Sequence, residues 1–591
     1  MWLALLAVAV SLNLAGAAAG DGQRYLDDVK ALTAPAMEGR GNGTRGLERA
    51  AHLIEQRFKD LGLDPAGTNS YFQPFSVVTG ARLKGKNLLQ AGGDSLKLEQ
   101  DFVPFSFSGS GAAAGPVVFA GYGITAPEFG YDDYEGVPVK GRIVLVLRNE
   151  PPAFQAKGHQ GVTQHSQLIS KAINARNHGA SALVLVNGKL GDGEEDLLTR
   201  FGTVSGPLDS GILLLQVKNS EAEKWLAGSG RTIAKAQGAI DEAGKPASFA
   251  LADDFRLRLS IAIETTYATV NNVLAWLPGQ TDEYVIVGAH YDHLGRGNFD
   301  SLAPSQIGQI HPGADDNASG TAGLLELARR MAPMRGRLRR SILFASFAGE
   351  ELGLLGSAAW VNKPTRPLEK AVAMLNMDMI GRIQEGKVFI GGTGTGSGFA
   401  NVLERAQVGK GLKIESSPGG YSSSDHMSFV TARIPALFFF SGLHSDYHKP
   451  SDTWEKINAD GALRLLDVVQ DTALQIASNP ERPAFIAVME DRPGASSTGG
   501  GGGYGPYFGS IPDFGQVENG VRFSDVRPGS PAAKAGLKPG DVLVRFGDKP
   551  IRNLYDFTDA LRRSKVGDVV EVKVLRGSET ITVSVKLEQR R

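Results

Sequence analysis

Tyr284-Val285-Ile286-Val287-Gly288-Ala289 runs straight into His290-Tyr291-Asp292-His293. An unbroken apolar strand ending in imidazole and carboxylate groups occurs three more times downstream. Ile342-Leu343-Phe344-Ala345-Ser346-Phe347 leads to Glu350-Glu351, Val372-Ala373-Met374-Leu375 leads to Asp378, and Ala436-Leu437-Phe438-Phe439-Phe440 leads to His444 and His448. Helical stretches alternate with these strands across 265–480, which predicts an α/β sheet with crossover helices. In such sheets the ligand crevice lies beyond the carboxyl ends of the strands, so the polar tips should converge. A fifth contribution is Gly313-Ala314-Asp315-Asp316-Asn317-Ala318-Ser319-Gly320, a turn that opens a helix over Thr321–Met331.

Taken singly, each block has an ordinary explanation. A strand-end histidine is commonly structural, paired glutamates commonly begin a solvated helix, and Asp-Asp before a helix commonly caps it. Together they would repel one another unless a cation sat among them. The chain has no cysteine, so the ligands must be nitrogen and oxygen, and six of its ten histidines lie between 290 and 448. Imidazole with carboxylate suits zinc better than calcium or magnesium. Asp316, Glu351 and Asp378 with a bridging hydroxide supply four negative charges, which balances two divalent ions, and Glu350 is left as a general base.

At these residues the chain resembles the M28 family of di-zinc aminopeptidases, matching its His-x-Asp, Gly-Ala-Asp-Asp-Asn-Ala-Ser-Gly, Glu-Glu, Asp-Met and Tyr-His-Lys-Pro-Ser-Asp-Thr blocks in order. The resemblance implies two Zn²⁺ per chain: Asp316 bridging, His290 and Asp378 completing one site, Glu351 and His448 the other. It also implies that Glu350 takes the proton from a metal-bridging water and passes it to the leaving amine, and that Asp292 hydrogen-bonds the ring of His290. Strand alternation places His293 opposite His290, at a loop or substrate rim. His444 and His448 are spaced like a helical zinc pair, but Gly442 and Pro450 bracket them, so a loop is expected, with His448 as ligand and His444 behind it. Tyr421 and Ser424-Asp425-His426 resemble the family's substrate-side loop. There Tyr421 either stabilises the tetrahedral oxyanion or belongs to a plain surface turn. Gly391–Gly396 reads as a loop, and the basic cluster from Arg329 to Arg340 as a solvated helix terminus.

The 591-residue chain has room for several domains. Its 62 basic and 63 acidic residues give a net charge of −1, which argues against nucleic acid as a partner. Residues 2–15 are an apolar run followed by Ala17-Ala18-Ala19, which reads as a signal peptide over 1–19. Cleavage near Ala19 would send the chain to the periplasm or outside the cell. The alternative is a retained anchor, and no other stretch is apolar enough to span a membrane. A helical pattern runs from Tyr25 to Leu63, with Leu47, Ala50, Ala51, Ile54 and Phe58 on one face.

The peptidase domain is assigned to 22–95 and 265–480. Residues 96–262, with Gly121-Tyr122-Gly123-Ile124 and Lys140–Val146, look like an inserted protease-associated (PA) domain. A Gly-rich linker occupies 483–503, and 504–590 resemble a PDZ domain, with Tyr507-Phe508-Gly509-Ser510-Ile511 as its carboxylate-binding loop. The expected fold is therefore α/β, a mixed-sheet zinc-exopeptidase (phosphorylase/hydrolase-like) domain with an inserted PA domain and a C-terminal β-rich PDZ domain. The expected activity is that of an exported zinc aminopeptidase acting on peptides, with a peptide or protein C-terminus as the ligand expected at the PDZ groove. The rivals are a carboxypeptidase or glutaminyl cyclase on the same fold, and a non-catalytic binding scaffold.

Overall fold

The computed structural model describes residues 20–155, 162–191, 193–297, 300–421, 423–488, 505–513 and 519–589. The expected signal peptide and the Gly499–Gly503 linker lie outside the described residues.

Four parallel strands form the centre of a nine-stranded sheet, in the spatial order Ser341–Phe347, Tyr284–His290, Ala371–Met377, Ala436–Phe440. Every residue of the first three is buried, because helices cover both faces. That explains why the strands read as unbroken apolar runs rather than as alternating ones. Fully burying each Val, Leu or Ile side chain contributes roughly 1.5–3 kcal/mol, so these strands form a rigid base for whatever their ends carry. Antiparallel strands close the sheet on either side, Ile263–Leu277 beside Ser341–Phe347 and Lys387–Gly391 beside Ala436–Phe440.

The helical pattern over Tyr25–Leu63 is interrupted. One helix covers 20–33 and a second Arg45–Asp60, which buries Leu47, Ala50, Ala51, Ile54 and Phe58 as expected. Between them the chain turns inward at Gly39 and Arg40, both in the left-handed region, with φ of 64° and 51°. A side chain at Gly39 would put its Cβ 2.2 Å from the Gly295 carbonyl oxygen, so only glycine fits this approach.

A second nine-stranded sheet forms the inserted domain. It includes Leu88–Ala91 and Asp94–Leu96, which pair with each other and, through the former, with Arg256–Ile261. The insertion therefore begins before residue 88 rather than at 96; short half-exposed strands of this kind leave little trace in hydropathy. The third body, from Tyr507 to Glu588, contains the strands Val521–Val526, Val542–Phe546, Val569–Arg576 and Glu579–Lys586 and the helix Leu554–Arg562. The basic cluster is solvated only in part: Arg335, Arg337 and Arg339 are exposed, whereas Arg340 is fully buried, donating to Glu283 and to the Ile476 carbonyl, and Arg330 pairs with Glu326 and Asp467. No helix among the described residues is long and apolar enough to cross a membrane.

Candidate metal centre

The carboxyl ends of the four parallel strands and the turn at 313–320 meet at one edge of the sheet. Nε2 of His290 lies 3.2 Å from Asp378 Oδ1, 3.5 Å from Asp316 Oδ1 and 3.9 Å from Glu350 Oε2. Nε2 of His448 lies 3.3 Å from Asp316 Oδ2 and 3.2 Å from Glu351 Oε2. Asp316 thus stands between two groups, with one carboxylate oxygen toward each. All five residues singled out as ligands are within this cluster.

The tautomers of the two imidazoles follow from their other nitrogens. Nδ1 of His290 is 3.2 Å from the Asp292 carbonyl, and Nδ1 of His448 is 2.9 Å from the Asp300 carbonyl. A carbonyl only accepts, so each Nδ1 carries a proton, and each Nε2 faces carboxylate oxygens, where it must hold either a second proton or, through a lone pair, a metal ion. Lone pairs facing anions in a buried site are repulsive unless a cation lies between them, and the donor set fits that requirement. The titration of the side chains points the same way. Burial opposes the charged form of His448, yet Glu351 and Asp316 outweigh it and push the imidazole up to about 11. Burial likewise opposes charge on His290, and Asp378 and Glu350 reverse the balance. Glu350 is held well above the carboxylate range, first by burial and then by Asp378 and Glu351, against the pull of His290. His290, His448 and Glu350 are thus all pushed toward their protonated forms, whereas His448 and His293 hold Glu351 ionised against its burial.

His293 lies in the loop after the strand, as expected, but it faces the cluster rather than a rim. It is buried, with Nδ1 2.6 Å from Glu351 Oε1 and 3.9 Å from Asp316 Oδ2. The strand ends at His290, so two-residue alternation no longer governs position 293, whose backbone bridges to Gly41 instead. Ligand atoms of His290, Glu350 and Asp378 lie within 4.8 Å of one another, as do those of His293, Asp316 and Glu351. Nε2 of His448 is nearly equidistant from two carboxylates, which suits a ligand. His293 is at hydrogen-bond distance from Glu351 alone, which suits a donor that fixes that carboxylate.

Asp292 acts differently from expectation. Its carboxylate is 3.6 Å from the His290 ring, and the carbonyl is the nearer acceptor. The carboxylate instead accepts the backbone N–H groups of Glu350 and Glu351 at 3.1 and 3.3 Å, and the Asn42 amide at 2.7 Å. It therefore sets the turn that presents both glutamates. Tyr421 is not directed at the cluster, since its hydroxyl donates to Asp525 of the C-terminal domain at 2.7 Å. His444 does stand behind the ligands, 3.2 Å from Asp315.

Three further residues of the site are given no role by the sequence. Arg40 is wholly buried and donates to the carbonyls of Tyr291, Leu32, Pro312 and Gly313, between 2.7 and 2.9 Å. Burial lowers its pKa to about 10, against the pull of Asp316 and Asp292, so it stays cationic and offsets part of the acidic charge. Asp452 accepts the N–H groups of Asp315 and Asp316 at 2.9 and 3.1 Å and so orients the central carboxylate. Tyr447 stacks on His448 at 3.9 Å, with its phenol pKa raised by burial and by Asp316 and Glu351. Tyr447 and Asp452 carry a signal, since both lie in the Tyr-His-Lys-Pro-Ser-Asp-Thr block, and Arg40 carries none.

An α/β sheet with an imidazole–carboxylate cluster at the carboxyl ends of its parallel strands defines a metallohydrolase-type centre. Residues 272–473 match the model of peptidase family M28, residues 113–225 that of the PA domain and residues 512–587 that of the PDZ domain. The chain thus carries a segment matching peptidase family M28, together with segments matching the PA and PDZ domains. Aminopeptidase YwaD of Bacillus subtilis is 25% identical over 461 residues, covering 75% of this chain and 82% of that protein. A probable leucine aminopeptidase of Arthroderma otae is 29% identical over 215 residues, covering 35% of this chain. The chain spans little more than half, 57%, of that relative's length. Among solved structures, a zinc aminopeptidase from Bacillus subtilis is 22% identical with a TM-score of 0.47, covering 78% of this chain and 95% of that one.

Proposed function

We propose that the chain is an exported zinc aminopeptidase that removes N-terminal residues from peptides using two ions. The observation that carries this reading is the placement of Asp316, whose two carboxylate oxygens each face a separate histidine–carboxylate pair. His290, Asp378 and one oxygen of Asp316 would hold one ion, and Glu351, His448 and the other oxygen the second. Bound ions of this kind polarise a carbonyl and lower the pKa of water toward neutrality. Glu350, buried and adjacent but more distant from His290 than Asp378 is, holds the proton taken from the attacking water and returns it to the leaving amine. Asp292 keeps Glu350 and Glu351 in register through their peptide N–H groups. The Tyr447 hydroxyl, kept protonated, is the donor for the developing oxyanion, a role the sequence suggests for Tyr421. Export is supported by the apolar run at 2–15 and the small residues after it.

The test is a digest of a mixed peptide library by the purified chain, with zinc measured per chain. The expected result is two zinc ions, shortening from free N-termini, and no cleavage of N-acetylated peptides. Loss of residues from the C-terminus would make it a carboxypeptidase. One zinc with pyroglutamate formation would make it a cyclase, and an intact library with no bound metal would leave a binding scaffold.

A further inference from the structure

The PDZ domain reaches the peptidase domain through a buried carboxylate. Its strand Val521–Val526 lies against the helix His426–Thr431. Asp525 on that strand is 0% exposed. Its Oδ2 accepts the Tyr421 hydroxyl at 2.7 Å, and its Oδ1 accepts the Arg433 guanidinium at 2.9 Å. Arg433 also donates to the Tyr421 hydroxyl at 3.3 Å, and the Arg527 guanidinium lies 5.5 Å over the tyrosine ring. A buried carboxylate with a charged donor is costly to separate from it, so the contact fixes Tyr421 firmly. On its other flank the PDZ domain is tied to the PA domain by the ion pair of Asp556 with Arg176 and by Arg563 donating to Asn174 at 2.6 Å. Asp525 is therefore presented from a body anchored at two places.

Three residues beyond Tyr421 the same segment enters the metal centre. The Ser424 hydroxyl donates to Asp378 Oδ2 at 2.8 Å and accepts the Asn376 amide at 2.8 Å. The other oxygen of Asp378 is the one that faces His290. Ser424 thus determines which oxygen of Asp378 is free for a metal ion, and the strand that carries Asp525 packs against the helix His426–Thr431, which begins two residues after Ser424. We propose that Asp525 of the PDZ domain is a positioning residue for the peptidase centre, acting through Tyr421 and Ser424 on Asp378. The proposal rests on the reading above, in which Asp378 is a ligand. It makes the PDZ domain part of the catalytic architecture as well as a module for capturing ligands.

The experiment uses the full chain as wild type, Tyr421→Phe, Asp525→Asn, the double variant and Ser424→Ala. Zinc affinity is read by competition with a chelating dye, and kcat and KM are read on an aminoacyl substrate. Substituting groups that orient a metal ligand typically costs about 10–100-fold, so each single variant should bind zinc at least about tenfold more weakly and lose kcat by a similar factor, with KM unchanged. The double variant should be no worse than the more severe single one, because both break the same link. A contact that merely glues two domains together would lower the melting temperature and leave zinc affinity and kcat alone. Zinc affinity and kcat within about twofold of wild type in Tyr421→Phe and Ser424→Ala, or additive losses in the double variant, overturn the proposal. If Asp525→Asn loosens the PDZ domain, Tyr421→Phe still decides the matter, since it removes a single hydroxyl. A wild type that binds zinc but releases no amino acid refutes the aminopeptidase reading while the affinity comparison still tests the link. A wild type that holds no zinc refutes both.

Discussion

Glu350 and Glu351 are neighbours in sequence with opposite assignments, so one pair of isosteric substitutions separates binding from proton transfer. Glu351 has both oxygens committed, one 2.6 Å from His293 Nδ1 and the other 3.2 Å from His448 Nε2. Glu350 stands 3.9 Å from His290 Nε2, beyond hydrogen-bond range, while Asp378 and Asp316 lie closer at 3.2 and 3.5 Å. Glu350→Gln keeps the shape and the peptide N–H bonded to Asp292, and removes only the ability to accept a proton. Losing a general base costs about 10²–10⁴ in rate, which corresponds to roughly 3–5 kcal/mol in the barrier. We expect Glu350→Gln to retain zinc at wild-type stoichiometry and to lose kcat by that factor with little change in KM. Glu351→Gln should lose zinc as well as activity. Elemental analysis of the purified variants, with kcat and KM on an aminoacyl p-nitroanilide, is the assay. Turnover by Glu350→Gln within about tenfold of wild type, or equal zinc loss in the two variants, would refute the division of labour between them.

Chelation should lower thermal stability as well as abolish turnover. At free zinc about a hundredfold above its dissociation constant, binding adds about 2.7 kcal/mol, which calorimetry should read as a fall of several degrees in Tm on metal removal. Arg40→Leu strips donors from four carbonyls and removes the buried cation beside the acidic cluster. At roughly 1–3 kcal/mol per orphaned group, urea titration should show a loss of about 4 kcal/mol or more. Asp452→Ala leaves the N–H groups of Asp315 and Asp316 without acceptors. Zinc affinity should fall about 10–100-fold by dye competition even where the chain still folds.

What the sequence discloses and what it hides divide along a physical line. The four parallel strands are buried on both faces, so hydropathy alone marks them, and the rule that crevices form at strand ends brings His290, Glu350, Glu351, Asp378 and His448 together without further information. Two-residue alternation misplaces His293 because it holds only as far as the last residue of the strand, and the backbone beyond it bridges to Gly41. Arg40 lies some 250 positions from the carbonyl of Tyr291 it supports. An isolated arginine in a turn has no periodicity or spacing to betray it. Local resemblance aims Tyr421 at the substrate, whereas its partner Asp525 lies 104 residues away in another domain.

These long-range residues serve the centre by the same physics. Carboxylates and imidazoles crowded into one buried pocket are held against their mutual repulsion by groups that take no part in the chemistry. Arg40 supplies positive charge and ties down the surrounding carbonyls, Asp452 and Asp292 fix peptide N–H groups, and Ser424 occupies one oxygen of Asp378. Each fixes an orientation before any ion arrives, so little of the binding energy is spent on reorganising the ligands. The strand ends determine which groups are present, and the distant contacts determine where their lone pairs point. Substitutions at the former should therefore empty the site. Substitutions at the latter should leave it occupied but mis-set, with kcat falling further than zinc content.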